Sequence, residues 1–282
     1  MKIGFIGAGK VGFTLGKYFA EHGITLTGYY SRQREHAAQA AQFTGSNCYE
    51  DVDRLVKDSD AIFVTVVDGQ ITQVYETIIN LDISDKYICH CSGAMTAREA
   101  FPDISQTGAY GYSIHPLFPV SDKFTTYQKL ADAFFCIEGD GKHLQEMEDL
   151  LKNVGLRYRV IDGAVKTKYH AAASVSSNLV IALIDEAVKL LGECGFEDGE
   201  ALEALTPLIR SNIDNVLSAG CAGALTGPVE RNDVGTVGKH LQCFETDRER
   251  DLYKSCATSL IGVAREKNPD RDYTDMAKIL QG

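Results

Sequence analysis

Seven short apolar runs punctuate the first 165 residues: KIGFI at 2–6, TLTGYY at 25–30, AIFVTVV at 61–67, YICHC at 87–91, TGAYGYSI at 107–114, AFFCIE at 133–138 and RYRVI at 157–161. Amphipathic segments of crossover-helix length lie between them, at 12–22, 34–43, 70–79, 97–101 and 143–154. This alternation predicts an α/β domain built on a doubly wound parallel sheet. From about Lys166 onward strand signals vanish, and helical spacing covers 169–194, 199–217, 234–244, 247–267 and a tail at 273–280. The expected organisation is a Rossmann-like domain over 1–165 and an all-α domain over 166–282. The helix near Ala171 is apolar on most faces, so it is either enclosed by its neighbours or buried against a second subunit. A homodimer formed through the helical domain is the expectation.

Charge and length narrow the partners. The chain has 282 residues, with 28 basic against 39 acidic side chains and a net charge of −11, which repels nucleic acid and anionic lipid surfaces. Its longest weakly polar stretch, Ala171 to Ile184, is about 14 residues, short of the roughly 20 that span a bilayer. Neither a membrane nor a nucleic acid partner is expected. The first apolar run passes straight into a glycine turn at Gly7 instead of a cleavage site, so a cytoplasmic protein is expected. The eight cysteines are scattered, and no Cys-x-x-Cys pair occurs. Most of them are expected to be small buried hydrophobes, with no metal site.

Gly7, Gly9 and Gly12 form G-x-G-x-x-G directly after the first predicted strand and at the start of the first predicted helix. The first glycine permits the tight turn and the second lets the backbone approach a pyrophosphate. The third lets helix and strand pack closely, while the helix N-terminus offers unpaired N–H groups. Gly7, Ala8, Gly9, Lys10, Val11 and Gly12 are therefore the expected cofactor loop. An NAD site usually carries an acid at the end of the second strand, to hold the ribose hydroxyls. That place reads Tyr30-Ser31-Arg32-Gln33-Arg34. Ser31, Arg32 and Arg34 suit a 2′-phosphate, so NADP(H) is expected over NAD(H). The alternative for both arginines is an ordinary solvated helix start.

Ligands of open parallel sheets bind outside the carboxyl ends of the strands, and the residues just after each predicted strand are polar and small. Val66, Val67 and Asp68 would line the nicotinamide side, with Asp68 also capping the next helix. Ser92-Gly93-Ala94 forms an exposed turn before Thr96-x-x-Glu99, a capping-box pattern. His115 follows the TGAYGYSI run with Pro116 fixing the outgoing chain, and either catalysis or substrate contact would suit it. His90, inside a strand pattern, reads as a core imidazole rather than a ligand.

The first long helix of the second domain carries His170, Ser174 and Asn178 at i, i+4 and i+8, one polar face on an apolar helix. A ligand between the domains would supply their partners. Equally, Ser174 can bond its own helix backbone while His170 and Asn178 satisfy neighbouring loops. Lys166 and Lys168 before that helix are expected to be solvated. Further on, LTGPVERND at 225–233 leads into a helix with Asp233 as N-cap, and Arg231 offers a fork for a substrate carboxylate. An ordinary interhelix connection is the preferred reading of that turn.

GFIGAGKVG, SGAM, HPLFP, KYHAAASVSSN and ALTGPVERNDVGTVGKHL together are similar to a Rossmann-like NADP oxidoreductase family whose C-terminal helical domain has no assigned function. The resemblance covers nearly the whole chain. The glycine motif alone is shared more widely, with pyrroline-5-carboxylate reductase, ketopantoate reductase and hydroxyisobutyrate dehydrogenase. The resemblance implies a C-terminal domain like that of 6-phosphogluconate dehydrogenase. Ketopantoate reductases place a lysine and two asparagines where this chain has His170, Ser174 and Asn178, and the missing lysine argues against direct transfer of that mechanism. A His-Pro pair like that of prephenate dehydrogenases points to His115 near the nicotinamide.

The expected function is hydride transfer between NADP(H) and a small C=O or C=N substrate in the crevice between the domains. His170 or His115 would be acid/base, Ser92 and Asn178 would hold the reacting atom, and Ser174 and Arg231 would contact substrate. The rival is an NADP(H)-binding sensor without turnover, which the absent lysine favours. A reductase that uses a deazaflavin stays open beside the first reading.

Overall fold

A computed structural model of the chain describes residues 1–197 and 199–282. By compactness they divide into two units, Met1–Ser177 and Asn178–Gly282. The expected boundary at 165 marks the end of the strands, whereas the division in packing falls one helix later.

The first unit runs β1 (Lys2–Ile6), α1 (Lys10–Glu21), β2 (Thr25–Tyr30), α2 (Arg34–Thr44), β3 (Asn47–Cys48), α3 (Val52–Asp58), β4 (Ala61–Val64), α4 (Ile71–Ile78), β5 (Tyr87–His90), α5 (Ala97–Ala100), β6 (Tyr110–Leu117), β7 (Phe134–Gly139), α6 (Leu144–Asn153), β8 (Arg157–Val160) and α7 (Lys166–Ser176). The strands form one sheet in the order β3-β2-β1-β4-β5-β6-β7-β8. Side chains alternate across it, as a pleat requires. Ile3, Phe5, Ala61 and Phe63 join one core with α1, α2 and α6. Ile6, Ile62 and Val64 join the other, with α3 and α4. Both faces are covered, which is why the strands read as unbroken apolar runs.

The seven predicted strands are present, and the Rossmann-like α/β class holds. Three details differ. First, β7 runs antiparallel to β6, with His115 opposite Cys136. A parallel return needs a crossover of a dozen or more residues, usually a helix. The connection here holds only a 3-10 stretch at Thr126–Asp132, and the chain re-enters at the edge it left. Second, His115, Pro116 and Leu117 belong to β6 itself. Pairing with β5 stops at Ser113, so Pro116 stands where one side of the strand has no ladder and its missing N–H costs nothing there. Third, β3 and α3 are additions, too short to register as periodic segments.

The second unit comprises α8 (Asn178–Glu193), α9 (Glu200–Ala224), α10 (Val234–Cys243), α11 (Asp247–Lys267) and α12 (Thr274–Gln281). Val237, Ala257, Ile261, Ala264, Tyr273 and Met276 make its core. Asp233 caps α10 as expected, accepting from the Thr236 N–H at 2.9 Å, and a Thr246–Glu249 capping box opens α11. The helix expected over 169–194 is broken at Ser177, whose φ of −126° and ψ of −80° interrupt the helical turn between α7 and α8. Helix α9 changes direction at Gly220, where a φ of +72° favours glycine.

Two compositional expectations are corrected. Only Cys89 and Cys136 are buried, while Cys194, Cys221 and Cys243 on the helices of the second unit are exposed. The stretch Gly163–Glu193 is long and apolar enough to cross a membrane by length and composition, with mean hydropathy 1.4 and 6% of its window buried. Counting only the fourteen residues after Ala171 missed the apolar turns of α8.

Candidate active site

Strand order reverses between β1 and β4, and a cleft of about 970 Å³ opens there. Gly7, Ala8, Gly9, Lys10 and Val11 line one side, and Val66, Val67, Asp68 and Ser92 line another. Gly7 sits at φ +104°, and a Cβ on it would lie 2.9 Å from the Thr65 backbone. Gly12 lies beneath the loop, where a Cβ would come within 2.6 Å of Thr65 Oγ1 and 2.9 Å of the Gly7 carbonyl. Thr65 Oγ1 donates to that carbonyl at 3.0 Å, locking the turn to the end of β4. Gly9 is the N-cap of α1 and no side chain caps this helix end, so its N–H groups remain for a ligand. A loop so tight, at a helix N-terminus and a switch point, fits a dinucleotide pyrophosphate.

Ser31 and Arg32 also line the cleft, and Arg32 donates to Gln70 Oε1 at 2.6 Å from an exposed position. Arg34 does not line it and is ion-paired with Glu50 instead. The two arginines therefore separate. Arg32→Ala should weaken NADPH binding about 10-fold and leave NADH unchanged, the scale of one charge-assisted contact. Arg34→Ala should do much less, and calorimetric titration of each variant with both cofactors checks this. Equal losses for NADPH and NADH in Arg32→Ala would remove it from 2′-phosphate recognition.

Asp68 does not cap the following helix. It opens a short 3-10 turn with no side-chain cap, and its carboxylate accepts from Ser92 Oγ at 2.6 Å. Ser92 Oγ in turn accepts from the N–H groups of Ala94 and Met95, at 3.3 and 3.1 Å. Its hydroxyl hydrogen and acceptor sites are thus occupied within the protein, which suits shaping of the cleft wall better than holding a reacting oxygen.

The next residue, Gly93, is the meeting point of two imidazoles. A Cβ there would lie 2.6 Å from His170 Nδ1 and 2.8 Å from His115 Nε2. The rings are 6.2 Å apart between centroids and nearly perpendicular. His115 Nδ1 pairs with the Tyr169 hydroxyl at 2.7 Å. His170 Nδ1 is buried and has no hydrogen-bond partner among the described residues. Desolvation, then the Lys166 charge and His170, push the His115 pKa down to about 4, against a smaller opposing effect of Asp68. Burial raises the Tyr169 pKa. At neutral pH the pair is a neutral imidazole against a protonated phenol. His90 is fully buried beneath, accepting from the Ser92 N–H at 3.1 Å, with its pKa lowered to about 3 mainly by desolvation, as a core histidine.

Sequence reasoning missed Tyr169 and misjudged Lys166. Far from being solvated, Lys166 is 1% exposed, hydrogen-bonded to Ser113 Oγ and 3.6 Å from the Glu138 carboxylate. A lysine at a helix start gives no sign of burial until strand β6 is known to pass below it. Ser174 lies one turn beyond His170 on α7. Asn178 begins α8 after the break at Ser177, so the three-residue stripe does not continue to it. Arg231 is exposed in the second unit. Among the described residues no group of three or more His, Cys, Asp or Glu could hold a metal.

Strand order, glycine turn and neighbouring acid–base groups define a nucleotide-dependent oxidoreductase of the Rossmann type. Residues 2–91 match the family described as NADP oxidoreductase coenzyme F420-dependent, and residues 133–260 match a domain of unknown function, DUF2520. The chain is a Rossmann-like NADP oxidoreductase carrying that C-terminal domain, as the motif resemblance implies. Among solved structures, protein TM1727 from Thermotoga maritima is similar over 94% of this chain and 99% of its own, at 26% identity and a TM-score of 0.73. A protein of Bacteroides fragilis described as a putative NADP oxidoreductase, BF3122, matches over 93% and 98%, at 20% identity and a TM-score of 0.70. An imine reductase from Pseudomonas sp. shares the fold over 94% and 97%, at 16% identity and a TM-score of 0.64. Comparison with curated proteins gives no match.

Proposed function

We propose that the protein moves a hydride between NADP(H) and a small substrate with a C=O or C=N bond, placed beside Gly93. The observation that carries this reading is the convergence of His115, Tyr169 and His170 next to Ser92, which itself lines the glycine-loop cleft. Gly7 to Val11 would hold the pyrophosphate and Ser31 with Arg32 the 2′-phosphate. When bound, the nicotinamide supplies or accepts the hydride. His170 Nδ1 exchanges the proton with the reacting oxygen or nitrogen, which would also give that buried atom the partner it lacks. With Tyr169 donating to His115 Nδ1, the His115 ring hydrogen sits on Nε2, the atom beside Gly93. From there it can donate to the reacting atom without carrying charge. Ser174, one turn on, faces the same side of α7 and would contact substrate. The imine reductase fold neighbour supports including C=N beside C=O.

Titration with NADPH, NADP and NADH, followed by a fluorescence screen of keto acids and cyclic imines, tests this reading. Selective NADPH binding with turnover supports it. Binding without turnover would favour the sensor, and no binding would sink both.

The apolar faces of α8 and α9 support a homodimer. Leu179, Ile181, Leu208 and Leu217 are 52 to 80% exposed. Asp185, Glu186, Lys189 and Glu193 are spread over the same two turns of α8, and each would be costly inside hydrocarbon, so a second copy suits this surface better than a bilayer. Sedimentation should give twice the 30.8 kDa chain mass, and a single-chain mass at micromolar concentration would refute it.

A further inference from the structure

Lys166 is the charged group that the proposed chemistry leaves unused. It opens α7 with its ammonium in the interior, hydrogen-bonded to Ser113 Oγ and 3.6 Å from Glu138 Oε2. Both partners are themselves fixed. Ser113 Oγ donates to the Ser92 carbonyl at 3.2 Å, and Glu138 Oε2 accepts from the Ala97 N–H at 2.8 Å. Burying such a pair is expensive, and an apolar pair of similar volume would be as stable or more so. Stability alone therefore does not account for it.

Spacing does. On α7, Tyr169 and His170 stand three and four residues after Lys166, on the same helix face. On β6, His115 stands two residues after Ser113, on the same strand face. Two rungs thus tie helix to strand: Lys166 to Ser113, then Tyr169 to His115. The first rung fixes the register of the second, and with it the place of His170 over Gly93.

We infer that Lys166 is a positioning residue, pinning α7 to β6 so that Tyr169 and His170 meet His115 at Gly93. The inference rests on the oxidoreductase reading of that site. The same ammonium stands near His115 and contributes to holding its pKa low, after desolvation. The other groups facing His115 are Tyr169 and His170 on α7, Asp68 after β4, Cys136 opposite it on β7, and His90 with Cys91 at the end of β5. Of these, Cys91 and Cys136 have raised pKa values, mainly through burial, and stay neutral.

The test compares Lys166→Met, which keeps the stem and removes the charge, with Lys166→Arg, in the full-length protein. Imidazole NMR should find His115 titrating near 4 in the wild type and displaced upward in Lys166→Met. Removing a nearby cation makes the protonated ring easier to form, so the acid limb of kcat/KM should move up in pH with it. NADPH affinity should stay within about 2-fold because Lys166 does not line the cleft, while kcat falls about 30-fold with little change in KM, and Arg restores part of it. An unmoved His115 titration with unchanged kcat per NADPH-binding molecule would overturn the inference. If Lys166→Met does not fold, Ser113→Ala keeps the charge and removes its seat. A kcat lowered at constant NADPH affinity then supports the inference, and wild-type kcat overturns it. Wild-type protein that binds NADPH but turns nothing over would sink the oxidoreductase reading, whereas the NMR displacement bears on Lys166 alone.

Discussion

His170→Ala should lower kcat/KM about 100-fold or more and leave NADPH affinity within about 2-fold. The split follows from where the ring lies. His170 is not part of the cofactor cleft, so its removal takes nothing from the nucleotide. Its Nδ1 is buried at Gly93 without a protein partner, and a reacting oxygen or nitrogen placed there would lose its proton source. His115 cannot stand in as an acid. With its pKa pushed down to about 4, it is neutral through the physiological range, and protonation would place a cation beside Lys166. Activity that needs neutral His115 is therefore present above that pH and lost as pH falls through it. Steady-state kinetics with isothermal titration on the same preparation checks the split. An unchanged kcat/KM would remove His170 from the chemistry, and a large loss of NADPH affinity would assign it to cofactor binding.

Local signals made the cofactor half of the site legible. Gly7, Gly9 and Gly12 each answer a steric demand that only glycine meets cheaply, and strand and helix flank them within a few residues, so the sequence contains both the requirement and its context. The alternation of apolar runs and amphipathic segments carried the sheet for the same reason. The catalytic half depends on contacts between residues far apart in the chain. Tyr169 meets His115 across a sequence separation of 54, and Lys166 meets Ser113 across 53. Neither pairing leaves a periodic trace. The antiparallel β7 decides both, since it ends the pairing pattern that would have put His115 in a loop and supplies Glu138 as the ion-pair partner. Helix periodicity misled at Asn178, because i+8 spacing carries a face forward only while the helix is unbroken, and Ser177 breaks it.

Gly12→Val and Gly9→Ala should separate folding from cofactor binding within one loop. At Gly12 the new Cβ would sit 2.6 Å from Thr65 Oγ1 and 2.9 Å from the Gly7 carbonyl, two atoms hydrogen-bonded to each other. Neither can retreat without opening the turn. Overpacking of this kind costs about 2 kcal/mol, which lowers Tm by roughly 4–8 °C in a chain of this size. The displaced loop no longer presents its N–H groups together, and NADPH affinity should fall about 100-fold or more. At Gly9 the nearest atom to an added Cβ is the Thr65 carbonyl oxygen at 3.6 Å, ordinary contact, and the φ of −82° suits alanine. Gly9→Ala should therefore melt within about 1 °C of wild type, since it strains nothing in the free protein. Its methyl group instead borders the cleft where the backbone must approach a pyrophosphate, and affinity should drop about 10-fold. Thermal melts with and without NADPH read both quantities. Wild-type NADPH affinity in Gly12→Val would mean that this turn is not the pyrophosphate cradle, and the whole cofactor assignment built on it would fall with it.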